Sequence, residues 1–125
     1  MNLNQVTVPS HDLEIAIPFY EKLGLNLIVK ALPHYARFEC PDGESTFSLH
    51  QVDQINPNND IWVYFEVDQL DQKVAELINL GIQFDEMPED KSWLWREARL
   101  KDPDGNQLIL YYAGENRKNP PWRVM

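Results

Sequence analysis

A single cysteine, Cys40, stands among the 125 residues. An internal disulfide is therefore impossible, which fits a reducing compartment. Long apolar runs are missing too: none reaches the roughly 18 residues of a membrane span. The opening residues, MNLNQVTVPSHD, carry no basic segment leading into an apolar stretch, so no secretory signal is read there. Positive charge is scarce. Eleven Lys and Arg face 20 Asp and Glu, for a net charge of −9. Such a chain repels phosphate backbones and anionic bilayers, so neither nucleic acid nor membrane is an expected partner. The expected location is the cytoplasm. The acidity first serves solubility, and it also makes a field that attracts a cationic ligand.

What is present is a globular composition, 43% hydrophobic. That supports one packed domain, and the length is too short for two independent cores. Residues 3–8 alternate as a half-buried strand does. Ser10 and Asp12 are possible N-caps for a helix whose apolar positions are Leu13, Ile17, Tyr20 and Leu23, with Gly24 as its stop. Pro18 is a local distortion within that helix. Residues 25–31, 35–40 and 46–52 read as strands, with Pro41-Asp42-Gly43 as a hairpin turn. The polar stretch 53–60 reads as a linker.

A second half follows the same plan. It has a strand at 61–67, a helix capped by Asp68 with Leu70, Val74, Leu77 and Ile78 on its apolar face, and Gly81 as the stop. Strands are then predicted at 82–84, 92–100 and 107–112, and an extended tail at 113–125. Two landmarks recur in order. Gly24-Leu25-Asn26-Leu27 matches Gly81-Ile82-Gln83-Phe84 at an offset of 57, and Pro41-Asp42-Gly43 matches Pro103-Asp104-Gly105 at an offset of 62. The difference implies a five-residue insertion, placed at 87–91. The fold class expected is α+β: two tandem βαβββ modules, about 1–52 and 61–112, in one domain.

Three segments carry a family resemblance. Arg99-Leu100-Lys101-Asp102-Pro103-Asp104-Gly105-Asn106-Gln107-Leu108-Ile109-Leu110 resembles the closing motif of the vicinal oxygen chelate superfamily, which holds glyoxalases, bleomycin-resistance proteins and dioxygenases. Asp12-Leu13-Glu14 through Phe19-Tyr20 to Leu23-Gly24, and Phe65-Glu66-Val67-Asp68-Gln69-Leu70-Asp71, resemble its two other hallmarks. The resemblance implies a curved mixed sheet in which both modules face one concave pocket. It also implies a divalent metal in the family's enzymes, held by His, Gln or Glu on facing strands. Here the corresponding positions fall on Gln5, Trp62 and Ile109, and the matching strand of the first half offers only Phe47 or Ser48. Trp62 and Ile109 cannot coordinate, and one amide does not hold a metal tightly. The expectation is a vacated metal position and no cofactor.

Loss of the ligands with the pocket retained resembles the bleomycin-resistance branch. Trp95-Arg96-Glu97-Ala98-Arg99-Leu100-Lys101-Asp102-Pro103 is similar to a stretch of that branch, with its Trp displaced by one residue. Tyr35-Ala36 lies where that branch places a ring that stacks on the drug. Alternation puts Trp62 and Tyr64 on one strand face, in phase with Glu66, and Trp93 and Trp95 on a face with Glu97. Ligand-binding candidates are Tyr35, His50, Trp62, Tyr64, Trp93, Trp95, Ile109 and Tyr111. Plainer readings stand beside these: Trp62 as filler of the emptied metal position, His50 as structural or solvated, and neighbouring Glu66 as a solvated strand-end carboxylate rather than a base. His11 belongs to the helix start, His34 has no assigned role, and Cys40 lacks a partner base.

The preferred reading is a metal-independent binding protein for an aromatic or cationic small molecule, antibiotic-like in character, acting as a homodimer. The alternative is a metal-dependent isomerase or dioxygenase with unorthodox ligands such as Gln5, His50 and Glu66. A purely structural or regulatory dimer is the third.

Overall fold

The computed structural model describes residues 1–124. In chain order it has β1 (Gln5–Ser10), α1 (Leu13–Leu23), β2 (Asn26–Ala31), β3 (Tyr35–Glu39) and β4 (Thr46–Gln51), then β5 (Trp62–Glu66), α2 (Leu70–Asn79), β6 (Glu86–Asp90), β7 (Arg96–Lys101) and β8 (Gln107–Tyr112). Two four-stranded sheets result, ordered β1-β4-β3-β2 and β5-β8-β7-β6. In each, the first and last strands of the module pair in parallel and the others are antiparallel. The tandem βαβββ plan read from the sequence is the plan observed. Among the described residues no helix is long and apolar enough to cross a membrane.

The chain divides into two compact units. One comprises residues 1–60 with 102–106, the other 61–101 with 107–125. In the first, the Asp12 carboxylate accepts the Glu14 N–H at 3.0 Å and so starts α1. Gly24, at φ 107, closes it in the left-handed conformation that glycine takes without strain. Pro18 sits inside α1 with its ring on the exposed side. The buried stripe Leu13, Ala16, Ile17, Tyr20 and Leu23 covers Ala36, Phe38, Phe47 and Leu49, and the Tyr20 and Phe47 rings are 4.7 Å apart. Each of the leucines, isoleucine and phenylalanines among them contributes about 1.5–3 kcal/mol on burial. The Tyr20 hydroxyl donates to Asp102 Oδ2 at 2.6 Å. Asp102 also accepts the N–H groups of Asp104 and Asn106 and the Asn106 side chain. Burial pushes the Asp102 carboxyl above the usual carboxylate range against the pull of those hydrogen bonds.

In the second unit α2 lays Leu70, Val74 and Leu77 on a sheet face of Ala98, Leu100, Leu108 and Leu110. Asp68 is not its cap. Gln69 precedes the helix without a side-chain cap hydrogen bond. The strand expected at 82–84 lies instead at Glu86–Asp90, overlapping the predicted insertion. This is an edge strand carrying charge and a proline, where a strand's usual composition is relaxed. The strand expected at 92–100 begins only at Arg96, because residues 91–95 form a tight loop with Leu94 at φ 68. The first strand runs through Pro9 rather than stopping at 8, which its edge position permits. The tail is not extended at its start: Gly114–Arg117 form a 3-10 turn.

Candidate functional site

In both sheets one face is packed by the helix and the other is open to side-chain chemistry. Register assigns the open face of the second sheet. Tyr64 pairs with Ile109, and Ile109 with Arg99; Glu97 pairs with Tyr111. Trp62, Tyr64, Glu97, Arg99, Ile109 and Tyr111 therefore share a face, and Trp95 continues it. Trp95 stacks on Tyr111, with centroids 4.7 Å apart and planes 21° apart. Tyr64 meets both rings edge-on, at 5.9 and 5.5 Å. The Trp95 indole N–H donates to the Asn116 carbonyl at 3.2 Å, which ties the cluster to the 3-10 turn. Ile109, Tyr111 and Ala113 are buried beneath, a small apolar cluster apart from the helix-packed core. Trp62, Tyr64 and Trp93 remain 50%, 40% and 42% exposed, which leaves ring surface for a ligand.

Within this aromatic wall lies a carboxylate. Glu97 is fully buried. The Trp93 indole N–H donates to its Oε2 at 2.7 Å. Among the described residues its Oε1 receives no hydrogen bond, and it has Arg99 Nη2 at 3.8 Å. Arg99 lies 4.7 Å from the Trp62 ring centroid, and its Nε, also without a hydrogen bond, is 3.6 Å from Glu86. Glu86 is engaged by Lys91, and the hydrogen bond from that ammonium holds its carboxyl below the usual range. Burial, and next the Glu97 charge, push the Tyr64 phenol up against the opposing pull of Arg99. Burial followed by the Glu66 charge does the same for Tyr111. Both phenols thus stay protonated near neutrality and offer donors rather than bases. Glu66 itself accepts the N–H groups of Ala113 and Gly114 at 3.0 and 3.2 Å, a structural task at the tail's first turn.

The open face of the first sheet has a different character. It carries Gln5, Thr46, Ser48 and His50 with Tyr35 and Arg37. Tyr35 Oη is 2.7 Å from Ser48 Oγ and accepts Arg37 Nε at 2.9 Å, and the guanidinium lies 5.4 Å from the Tyr35 ring centroid. His50 is exposed opposite Tyr35. Among the sequence candidates, Trp62, Tyr64, Ile109 and Tyr111 thus come together on one sheet, joined by Trp93 and Trp95 from the loop before β7, while Tyr35, His50 and Gln5 share the other. Sequence reasoning placed Glu97 beside the tryptophans without giving it a role, and it passed over Arg37 and Arg99. One signal was available for the arginines: they stand 62 residues apart, the offset of the repeated Pro-Asp-Gly turn.

The family's divalent metal does not fit these residues. Gln5 Oε1 accepts the Thr46 hydroxyl at 2.7 Å. Trp62 lies under a guanidinium, and Ile109 is a buried aliphatic. Among the described residues no group of three or more His, Cys, Asp or Glu is placed to hold a metal ion.

Comparison with known proteins agrees with this architecture. A protein from Nocardioides described as a glyoxalase/bleomycin resistance protein/dioxygenase superposes with a TM-score of 0.80 at 22% identity, over 100% of this chain and 90% of its own. The bleomycin resistance determinant encoded on transposon Tn5 gives 0.76 at 22% identity, over 90% of this chain and 98% of its own. A probable trivalent organoarsenical cleaving enzyme of Bacillus subtilis (strain 168) is 29% identical over 115 residues, 83% of this chain and 75% of the relative. Residues 2–110 match the family model itself, and the chain belongs to the Glyoxalase/Bleomycin resistance protein/Dioxygenase superfamily.

Proposed function

We propose that this chain is a metal-independent binding protein that sequesters a flat, cationic aromatic small molecule on the open face of its second sheet. The observation that carries the reading is Glu97: a fully buried carboxylate with one oxygen free of hydrogen bonds, set among Tyr64, Trp93, Trp95 and Tyr111. A buried carboxylate is costly unless donors and a cation meet it. Trp93 serves Oε2, Arg99 stands 3.8 Å from Oε1, and a ligand's cationic group supplies the hydrogen bond that Oε1 lacks. Each ring pair adds about 0.5–1.5 kcal/mol beyond burial, and a cation over an aromatic face adds on the order of 1 kcal/mol. Likeness to the Tn5 determinant supports an antibiotic-like ligand. In the same proposal the protein acts in the cytoplasm as a homodimer, and light scattering that finds a monomer at micromolar concentration removes the dimer.

The test is titration with bleomycin and a panel of cationic aromatics, read by tryptophan fluorescence and calorimetry. Binding with altered emission supports the proposal; silence across the panel in both readouts defeats it. A second reading, an enzyme of the superfamily, draws on the 29%-identical relative named for cleaving trivalent organoarsenicals. Metal analysis of protein purified without chelator separates the two, because stoichiometric Zn, Ni, Mn or Fe favours the enzyme.

A further inference from the structure

The two arginines at the 62-residue offset occupy the same place in their sheets. Arg37 on β3 pairs with Ser48 on β4 and with Val29 on β2. Arg99 on β7 pairs with Ile109 on β8 and with Glu86 on β6. Two residues before each arginine, on the same face, stand Tyr35 and Glu97. Arg99 therefore has two carboxylates within 3.8 Å, at 3.6 and 3.8 Å. Arg37 has Val29 and Tyr35 at those two places and makes no ion pair among the described residues. Glu39, the acid nearest along its own strand face, is exposed and forms no bridge to it.

Arg37 is only half-exposed, and its direction is set. Nε donates to the Tyr35 hydroxyl while the guanidinium lies against the Tyr35 ring. Tyr35 is anchored in turn by Ser48, which is fully buried. Its two Nη groups make no hydrogen bond to protein among the described residues. A half-buried, preoriented guanidinium with both terminal nitrogens free is suited to a bidentate oxyanion. We propose that Arg37, with the hydroxyls of Tyr35 and Ser48 behind it, forms an oxyanion-binding site on the open face of the first sheet, for a carboxylate or phosphate group.

The local field agrees. Burial raises the Tyr35 phenol, yet hydrogen bonds from Ser48 and Arg37, the Arg37 charge and Gln5 outweigh it and hold the phenol below the ordinary tyrosine value. The site differs in unit, residues and charge from the Glu97 face, so it stands or falls separately.

The probes are inorganic phosphate and acetate, titrated into the intact chain in separate arms. The readouts are the Arg37 Nε–H resonance by NMR and calorimetry. The expected result is a saturable shift of that resonance with at least one anion. Affinity falls by about tenfold in Arg37→Gln, as expected for losing a charge-assisted pair. It is partly kept in Arg37→Lys and unchanged in Lys22→Gln, a surface variant with the same charge loss. Tighter binding of phosphate assigns a phosphoryl group, and tighter binding of acetate a carboxylate. No saturable shift with either anion overturns the proposal, as does equal loss in Arg37→Gln and Lys22→Gln. Should Arg37→Gln fail to fold, the wild-type resonance and a Tyr35→Phe variant decide by the same criteria.

Discussion

Arg37 and Arg99 sit at matching points of two sheets with one topology, and a few residues around them make opposite surfaces. Around Arg99 are Glu86, Glu97, the Trp62 ring and buried Ile109. Around Arg37 are hydroxyls and an amide, with Ser48 where the other sheet has Ile109. The helix-packed faces show no such contrast: Phe38, Phe47 and Leu49 in one unit answer Leu100, Leu108 and Leu110 in the other, all nearly inaccessible. The difference teaches where the fold constrains the sequence. Close packing under the helix limits every substitution by volume. The open face holds buried positions too, Ser48, Glu97 and Ile109, but their chemistry differs between the units, so one fold hosts unrelated activities.

The harshest way to break the contrast is Ile109→Glu. A carboxylate placed in the Tyr111–Ala113 cluster loses buried aliphatic packing, and its cross-strand cation, Arg99, is already shared between Glu86 and Glu97. A loss of about 3–5 kcal/mol is expected in urea unfolding. The new group's pKa is raised in the fold, so the charge-dependent part of the penalty is absent below about pH 4 and grows as pH rises, above a constant cost of the lost packing. A cost independent of pH would show that the residue escapes to water. The matched Ser48→Ala change should cost only about 1 kcal/mol.

Next comes the buried carboxylate of the first unit. Tyr20→Phe removes the donor to Asp102 and should cost about 2 kcal/mol. Because the Asp102 pKa is raised above its unfolded value, its titration contributes stability fully below about pH 4 that is lost as pH rises through the folded value. Asp102→Asn abolishes that titration. The stability of wild type minus that of the variant should therefore decline as pH rises above about 4, and a flat difference in calorimetric melting contradicts the assignment.

A smaller effect is confined to the second face. Glu97→Gln keeps shape and removes charge, and cationic aromatic ligands should bind about tenfold more weakly. Neutral aromatics should bind the variant and the wild type alike. Equal loss for both kinds of ligand would mean that Glu97 only shapes the wall. The mildest test compares the helix starts. Asp12→Ala should cost about 1 kcal/mol, and Gln69→Asp, supplying α2 with the cap it lacks, should gain about 0.5 kcal/mol in thermal unfolding.

Much of the fold was legible because periodicity speaks clearly where packing is one-sided. α1 was bounded correctly by Leu13 and Gly24, and β8 by Gln107 and Tyr112. β6 was missed because Glu86-Met87-Pro88-Glu89-Asp90 has the composition of an edge, not of a core strand. The late start of β7 was hidden by Leu94, a leucine in the left-handed region where glycine is the usual signal. The aromatic half of the second face could be read by alternation from Trp62, Tyr64 and Trp95. Its charged half could not, because the fate of Glu97 and Arg99 depends on which strands flank them, and that is fixed by pairing across β6, β7 and β8.

The turn at residues 102–106 belongs to the first unit although the chain reaches it between β7 and β8. Bonds from Tyr20 and His11 to this turn, and from it to Pro9, span 82, 93 and 97 residues. On the ribosome, then, the first module is made early and finished late. Its helix carries an unanswered phenol until nearly all of the second module has emerged, and contacts of such span close slowly. A fragment made only of residues 1–60 would lack the acceptor that Tyr20 uses.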